Sequence, residues 1–305
     1  MARSAFQKIL TSFAFAISLG NAISQSVPAD SSLSKTKKVI LTSSTAIGYA
    51  SSMIALDELW YNDFKRSPIH SFNDFNHWMG IDKIGHATTA FHIGFTGYHA
   101  MKWAGYTEEQ STYYGGSIGF VYLVGVEILD GTSSKWGFSW ADIGANTLGT
   151  SLFIGQQKLW GQQRFLLRFS SSQTNYAQYR PELLGETRYD QILKDYNGQT
   201  YWLSAHAGDF VELPKIPTWL MLSIGYGADG MLGAEINPSF NDDGTTLPYF
   251  KRNPQLYLSL DVDLSRLLQK SKFLSGIFGA FGFLKIPSPT LEWTNGVCYF
   301  HPIHW

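Results

Sequence analysis

Apolar positions along this chain follow two different periods. From Val39 to Trp160 they recur at helical spacing, and beyond Arg164 they alternate. A first helix is expected over Val39–Trp60, where Val39, Ile40, Ile47, Met53 and Ile54 are interleaved with Ser, Thr, Ala and Gly. A second is expected over Asp82–Trp103, a third over Glu108–Leu129 and a fourth from Ser139 to Trp160. Gly115 and Gly119, four apart, give the third helix a strip along which another helix can approach closely. Ser139 has the chemistry of an N-cap, with Asp142 at the third helical position in the manner of a capping box. Gly161 is the stop. Pro68 breaks any helix in residues 61–81, a loop rich in His, Asn and aromatic side chains.

The C-terminal half reads as strands. Leu256, Leu258, Leu260, Val262 and Leu264 alternate with Tyr257, Ser259, Asp261 and Asp263, which describes a strand with one apolar side. Leu220, Leu222 and Ile224 alternate with Met221, Ser223 and Gly225. Asn197-Gly198 marks a turn before a β-rich run. A short helix is expected within Glu182–Tyr196, and an apolar one over Arg266–Leu284, stopped by Pro287 and Pro289. Alternating strands and the terminal Trp305 bring an outer-membrane barrel to mind, but the convincing strands are too few for a full one. The expectation is a small sheet packed on the helices. The fold class expected is α+β: a compact bundle of about four helices, compatible with membrane association, followed by a β-rich region with a short helix. The expected divisions are a signal peptide at 1–24, a flexible leader at 25–38, a helical domain at 39–163 and a β-rich region at 164–305.

Composition changes the picture in three ways. The chain has 305 residues and a formal net charge of -1, a balance that argues against nucleic acid as partner. Aromatic and charged residues each make up 15%, which fits work at or near a membrane. One cysteine, Cys298, rules out an intramolecular disulfide framework. At the N-terminus, Arg3 and Lys8 precede the apolar run Ile9 to Leu19, and Ala22-Ile23-Ser24 is a small-x-small cleavage site, so Gln25 is the expected first mature residue and the chain is expected to be exported. The second helix carries Asp82, Lys83, His86, His92, His99 and Lys102, which are costly inside lipid and favour a bundle over four spans.

Three polar signatures lie within this apolar, Gly-rich stretch: Asp82 with His86, Glu127 with Asp130, and Ser139 with Asp142 and Asn146. Residues three or four apart share one helix face, so each segment points its polar members the same way. Two readings follow. In the first, the acids are helix caps and Glu127 with His86 is a buried pair that fixes packing. In the second, His86 and Glu127 form an acid–base pair with Asp142 orienting the imidazole, and Asp82, Asp130, Ser139 and Asn146 contribute binding contacts. No His-x-x-x-His or Glu-x-x-His signature occurs, so no metal or other cofactor is expected. Lys135 and Trp136 follow as a cation and an aromatic in a loop that reads as solvated.

DKIGH, the Glu127-x-x-Asp130 pair and WGFSWADIGANTLG together resemble the YfiM-like family of predicted periplasmic lipoproteins, a domain of unknown function, over roughly residues 75–160. A fainter likeness is to VanZ-like membrane proteins, which share Asp-Lys-x-x-His and a later Asp-x-x-x-Asn. Neither resemblance implies an established reaction. The chain departs from the lipoprotein pattern in its only cysteine, Cys298, which lies near the C-terminus. The expected function is that of an exported protein of the periplasm or outer membrane, structural or binding in role, whose partner is a membrane lipid or an envelope protein. The alternative is an envelope hydrolase acting on a lipid-linked or glycan substrate through His86, Glu127 and Asp142.

Overall fold

The computed structural model describes residues 31–61, 65–210 and 216–305. The expected signal peptide lies outside them. The main helices are α1 (Ser31–Leu56), α2 (Ile81–Trp103), α3 (Gly116–Gly131), α4 (Trp140–Trp160), α5 (Arg188–Lys194) and α6 (Lys272–Ala280). A two-stranded parallel pair joins β1 (Ser71–Phe72) to β2 (Phe138–Ser139). The six-stranded sheet comprises β3 (Phe165–Ser171), β4 (Gln199–His206), β5 (Leu220–Asp229), β6 (Asn253–Val262), β7 (Ser288–Thr294) and β8 (Val297–His304). The α+β reading holds: a helical region precedes an antiparallel sheet with short helices interspersed.

The chain divides into two units. The first holds the described residues up to Asp74, Thr89–Gln163 and Leu268–Phe281; the second holds Phe75–Thr88, Arg164–Leu267 and Gly282–Trp305.

In the first unit, α1 starts earlier than the apolar period suggests. Lys37 lies over the Trp103 ring at 5.5 Å and Lys38 over Tyr106 at 4.7 Å, so basic residues read as part of a leader instead extend the helix. Ser34–Leu56 is long and apolar enough to cross a membrane by length and composition. The third expected helix is broken at its start. Thr107 caps a single turn, Glu108–Gln110, through a capping box, a wide π-type turn spans Ser111–Gly115, and α3 follows. Glycine then sets the packing distance. A Cβ on Gly119 would sit 2.2 Å from the Ala90 carbonyl oxygen, and one on Gly115 would sit 2.7 Å from the Tyr98 nitrogen. The strip of small residues is thus where α2 and α3 meet backbone to backbone. Phe153 of α4 fills the remaining space with Phe91 and Phe95 at 6.0 and 6.1 Å between ring centroids.

In the second unit, consecutive strands pair antiparallel from β3 to β8. The sheet is larger than the alternation indicates, and it is rolled. Arg168 on β3 reaches Asp261 on β6 at 3.2 Å; three strand spacings would put them about 14 Å apart in a flat sheet. Trp202 on β4 and His304 on β8, four strands apart, have ring centroids 6.0 Å apart. Phe169 on the outer edge of β3 bonds residues 283 and 285 through its N–H and C=O, which covers part of that edge.

The roll reverses the usual sense of the alternation. Tyr257, Ser259 and Asp261 on β6 are buried, whereas Leu256 and Leu260 are 53% and 48% exposed. Inside, Ser204 donates to Asp261 at 3.0 Å, Trp202 donates to Ser170 at 2.9 Å, and the Lys285 ammonium donates to Ser259 Oγ and the carbonyls of Leu260 and Ile286. Gly225 faces inward because the Trp202 ring occupies the place of its side chain, 2.6 Å from where a Cβ would stand. The apolar cores of this unit lie elsewhere, around Leu184 and Leu232 and around Ile81 and Met231.

Candidate functional site

The start of α4 gathers one polar group within the first unit. Ser139 is its N-cap, with extended backbone, and its Oγ accepts from the Asp142 N–H at 3.1 Å. The same Oγ donates to Asp74 Oδ1 at 2.5 Å. The Ser139 N–H is bonded by Glu127 Oε2 at 2.9 Å. A local capping box would have used Asp142 for that last bond. Here Glu127 reaches across from α3, so the box is completed by tertiary structure. The helix dipole favours acids at this end, which offsets the cost of burying Glu127, Asp142 and Asp74 together. Asn146 and Thr150 continue the buried face of α4 toward Phe153. Glu127 shares the buried face of α3 with Gly116, Gly119 and Leu123, as its spacing predicts.

Asp130 does a different job from Glu127. It accepts from the Tyr61 hydroxyl at 2.7 Å. Burial first, then the charge and hydrogen bond of Asp130, with a further contribution from Glu127, push the Tyr61 phenol well above its ordinary range. Tyr61 packs edge-on against Trp136 at 5.5 Å, and Lys135 lies over Trp136 at 5.1 Å. Of the pair expected in a solvated loop, Lys135 is exposed, while Trp136 is half-buried against Tyr61.

Asp82 and His86 lie in the second unit, on the first turns of α2. Trp78, Met79 and Gly80 just before them all have positive φ. Such backbone is strained for Trp and Met, and it is held by bonds from Trp78 N–H to the Ala234 carbonyl and from the Tyr226 hydroxyl to the Met79 carbonyl. Trp78 stacks on Tyr196 at 4.9 Å, and the Tyr196 hydroxyl donates to Asp82 Oδ1 at 3.0 Å. Lys83 donates to Asp82 Oδ2 at 2.9 Å, and His86 Nε2 lies 4.0 Å from Asp82 Oδ1. Burial alone would raise the Asp82 carboxyl. The charges of His86 and Lys83, with hydrogen bonds from Lys83 and Tyr196, outweigh it and hold the group below the usual carboxylate range. Asp82 and His86 offer an oxygen and an imidazole nitrogen one helical turn apart, a donor pair that suits proton transfer or a cation.

Of the residues singled out in the sequence, the structure thus joins Glu127, Ser139 and Asp142 at the start of α4, gives Asp130 to Tyr61, and sets Asp82 beside His86. Sequence reasoning missed Asp74, Tyr61 and Tyr196. It also missed the ion pair of Arg168 and Asp261 and the contact of His206 with Asp263 at 2.8 Å. Asp261 and Asp263 were legible as the polar side of a strand; that this side is the interior was not. An open cleft of about 530 Å³, with Asp229, Tyr257, Glu292 and His304 in its wall, lies in the second unit.

No curated protein and no solved structure matches the chain. Residues 70–155 match the family described as Predicted periplasmic lipoprotein (DUF2279). That stretch contains DKIGH, Glu127, Asp130, Ser139, Asp142 and Asn146, and the match supports an exported protein of the periplasm or outer membrane. Over residues 70–155 the chain resembles the YfiM-like predicted periplasmic lipoproteins.

Proposed function

We propose that this is a cell-envelope protein with a structural or binding role, whose helical unit uses its polar cluster to fix the start of α4, and whose partner is a membrane lipid or an envelope protein. The observation that supports this reading is the pair of bonds at Ser139. Glu127 Oε2 takes the Ser139 N–H, and Ser139 Oγ links Asp74 to the Asp142 N–H. A carboxylate engaged as a helix cap contributes to folding through that bond. The test measures the denaturation midpoint and the envelope phenotype of Glu127→Gln and Glu127→Ala together. A structural Glu127 predicts that both variants lose stability, Ala more than Gln, with function following stability.

The second reading is an envelope hydrolase acting on a lipid-linked or glycan substrate through His86, Glu127 and Asp142. The approach of Asp82 to His86, 4.0 Å apart, favours it, since a carboxylate beside an imidazole is a pairing that general acid–base chemistry uses. Stable Glu127→Gln and His86→Gln proteins that are both null would establish this reading over the first.

A further inference from the structure

The rolled sheet has a polar inside and an apolar outside. Every Asp, Glu and Arg in its six strands, namely Arg168, Asp229, Asp261 and Glu292, has the strand parity of the inner face. No outward position of these described strands carries a charge. Those outward positions instead hold large apolar side chains open to the surroundings, among them Leu222 (49%), Ile224 (63%), Trp293 (41%) and Phe300 (65%). One end of the outer face is covered by the residues before and within the first turns of α2, where Tyr201 and Tyr226 pack against Ile81, and Phe165 on β3 packs against Phe210; the bare part lies on β4 to β8.

We infer that the bare outer face of the β3–β8 sheet is a lipid-contact surface, whose occupant is the hydrocarbon of a bilayer. Charge matching is the first argument: an uncharged face around the roll fits an uncharged solvent, and the charges of the strands are turned away from it. The second is the interior. A sheet folded for water buries its apolar side, whereas here that side is left out and the buried side is a bonded network of Arg168, Asp261, Ser204, Ser223 and Lys285. Length is the third: β5 and β6 have ten residues each, which at the usual tilt cover an apolar band about 25 Å tall. A second copy of the chain is a poorer occupant, because the apolar positions run around the roll from β3 to β8 and one flat partner meets only one side of it.

Cys298 is a native probe. It is exposed, pairs with Trp293 and shares its outward face. The full chain, labelled there with bimane and reconstituted into phosphatidylcholine vesicles, is mixed with phosphatidylcholine brominated in its acyl chains. Leu222→Cys and Leu256→Cys, made in Cys298→Ser, extend the outward set; Ser223→Cys and Ser259→Cys are inward controls. Lipid contact predicts several-fold quenching by brominated chains at Cys298 and at the outward positions, with little at the inward ones. Quenching of outward labels by aqueous iodide and not by brominated lipid overturns the inference. So does shielding from both quenchers, which is the result expected of a protein partner. The native-cysteine measurement needs no substitution, so a variant that fails to fold leaves the test in place.

Discussion

At the scale of single residues, the chemistry of the helical segment is decided by which acid takes which donor. Glu127 accepts the Ser139 N–H, so Glu127→Ala leaves a buried donor unpaired, at a cost of roughly 1–3 kcal/mol. Glu127→Gln keeps an acceptor oxygen in the same place and is expected to lose less; chemical denaturation of the two variants checks the order. Asp82 gives a pH dependence. Its folded carboxyl titrates below the unfolded one, so the folded state holds fewer protons as the pH nears the carboxylate range. The stability it contributes is complete above the unfolded value of about 3.9 and is lost as the pH falls through the folded value. Asp82→Asn removes the titration. Unfolding free energy plotted against pH is therefore expected to fall less steeply for the variant at its acid end; parallel curves would show that His86 and Lys83 exert no net pull on this group.

At the scale of elements, glycine separates packing from propensity. Gly119 and Gly144 both lie inside helices, yet a Cβ at Gly119 meets the Ala90 carbonyl whereas one at Gly144 meets nothing within 4 Å. Gly144→Ala is expected to stabilise by up to about 1 kcal/mol, the difference in helix propensity. Gly119→Ala is expected to destabilise, because the clash is with backbone and the helices must part. Thermal melts of the two variants should move in opposite directions. The same elements show what the sequence makes legible. Period 3.6 located α2 and α4 to within a residue, because their caps and apolar faces are local properties. The N-cap at Ser139 was legible for the same reason. Its partner Asp74 was not, since a lone acid in a loop carries no period and its contact spans 65 residues. The start of α1 was misplaced because the cations that extend it are held by rings of Trp103 and Tyr106, distant in sequence. Alternation on β6 showed two sides, Leu256 and Leu260 against Ser259 and Asp261, but period 2 is symmetric and does not say which side is the interior.

At the scale of the molecule, the choice of interior determines how the sheet unit responds to substitution. A sheet with an apolar core yields most to cavities; one with a polar interior yields most to a broken ion pair. Asp261 is the centre of the pairing, bonded by Arg168 and Ser204, with the Lys285 ammonium 4.0 Å away. Asp261→Leu leaves the Arg168 guanidinium buried without its counter-charge, at an expected cost of about 3–5 kcal/mol. Arg168→Met alone strands the Asp261 carboxylate, though Ser204 and the Val262 N–H still bond it, so the loss should be smaller. Removing both charges relieves the mismatch, because a volume-matched apolar pair is often neutral relative to a buried ion pair. Lys285 keeps Ser259 Oγ and two carbonyls as acceptors and so need not unfold the double variant. The cycle of Arg168→Met, Asp261→Leu and both together is therefore expected to be non-additive, the double variant being more stable than the sum of the single losses by at least about 1 kcal/mol. Additive losses would mean that the two charges do not sense each other across the roll, and that the four strands from β3 to β6 are not closed around them.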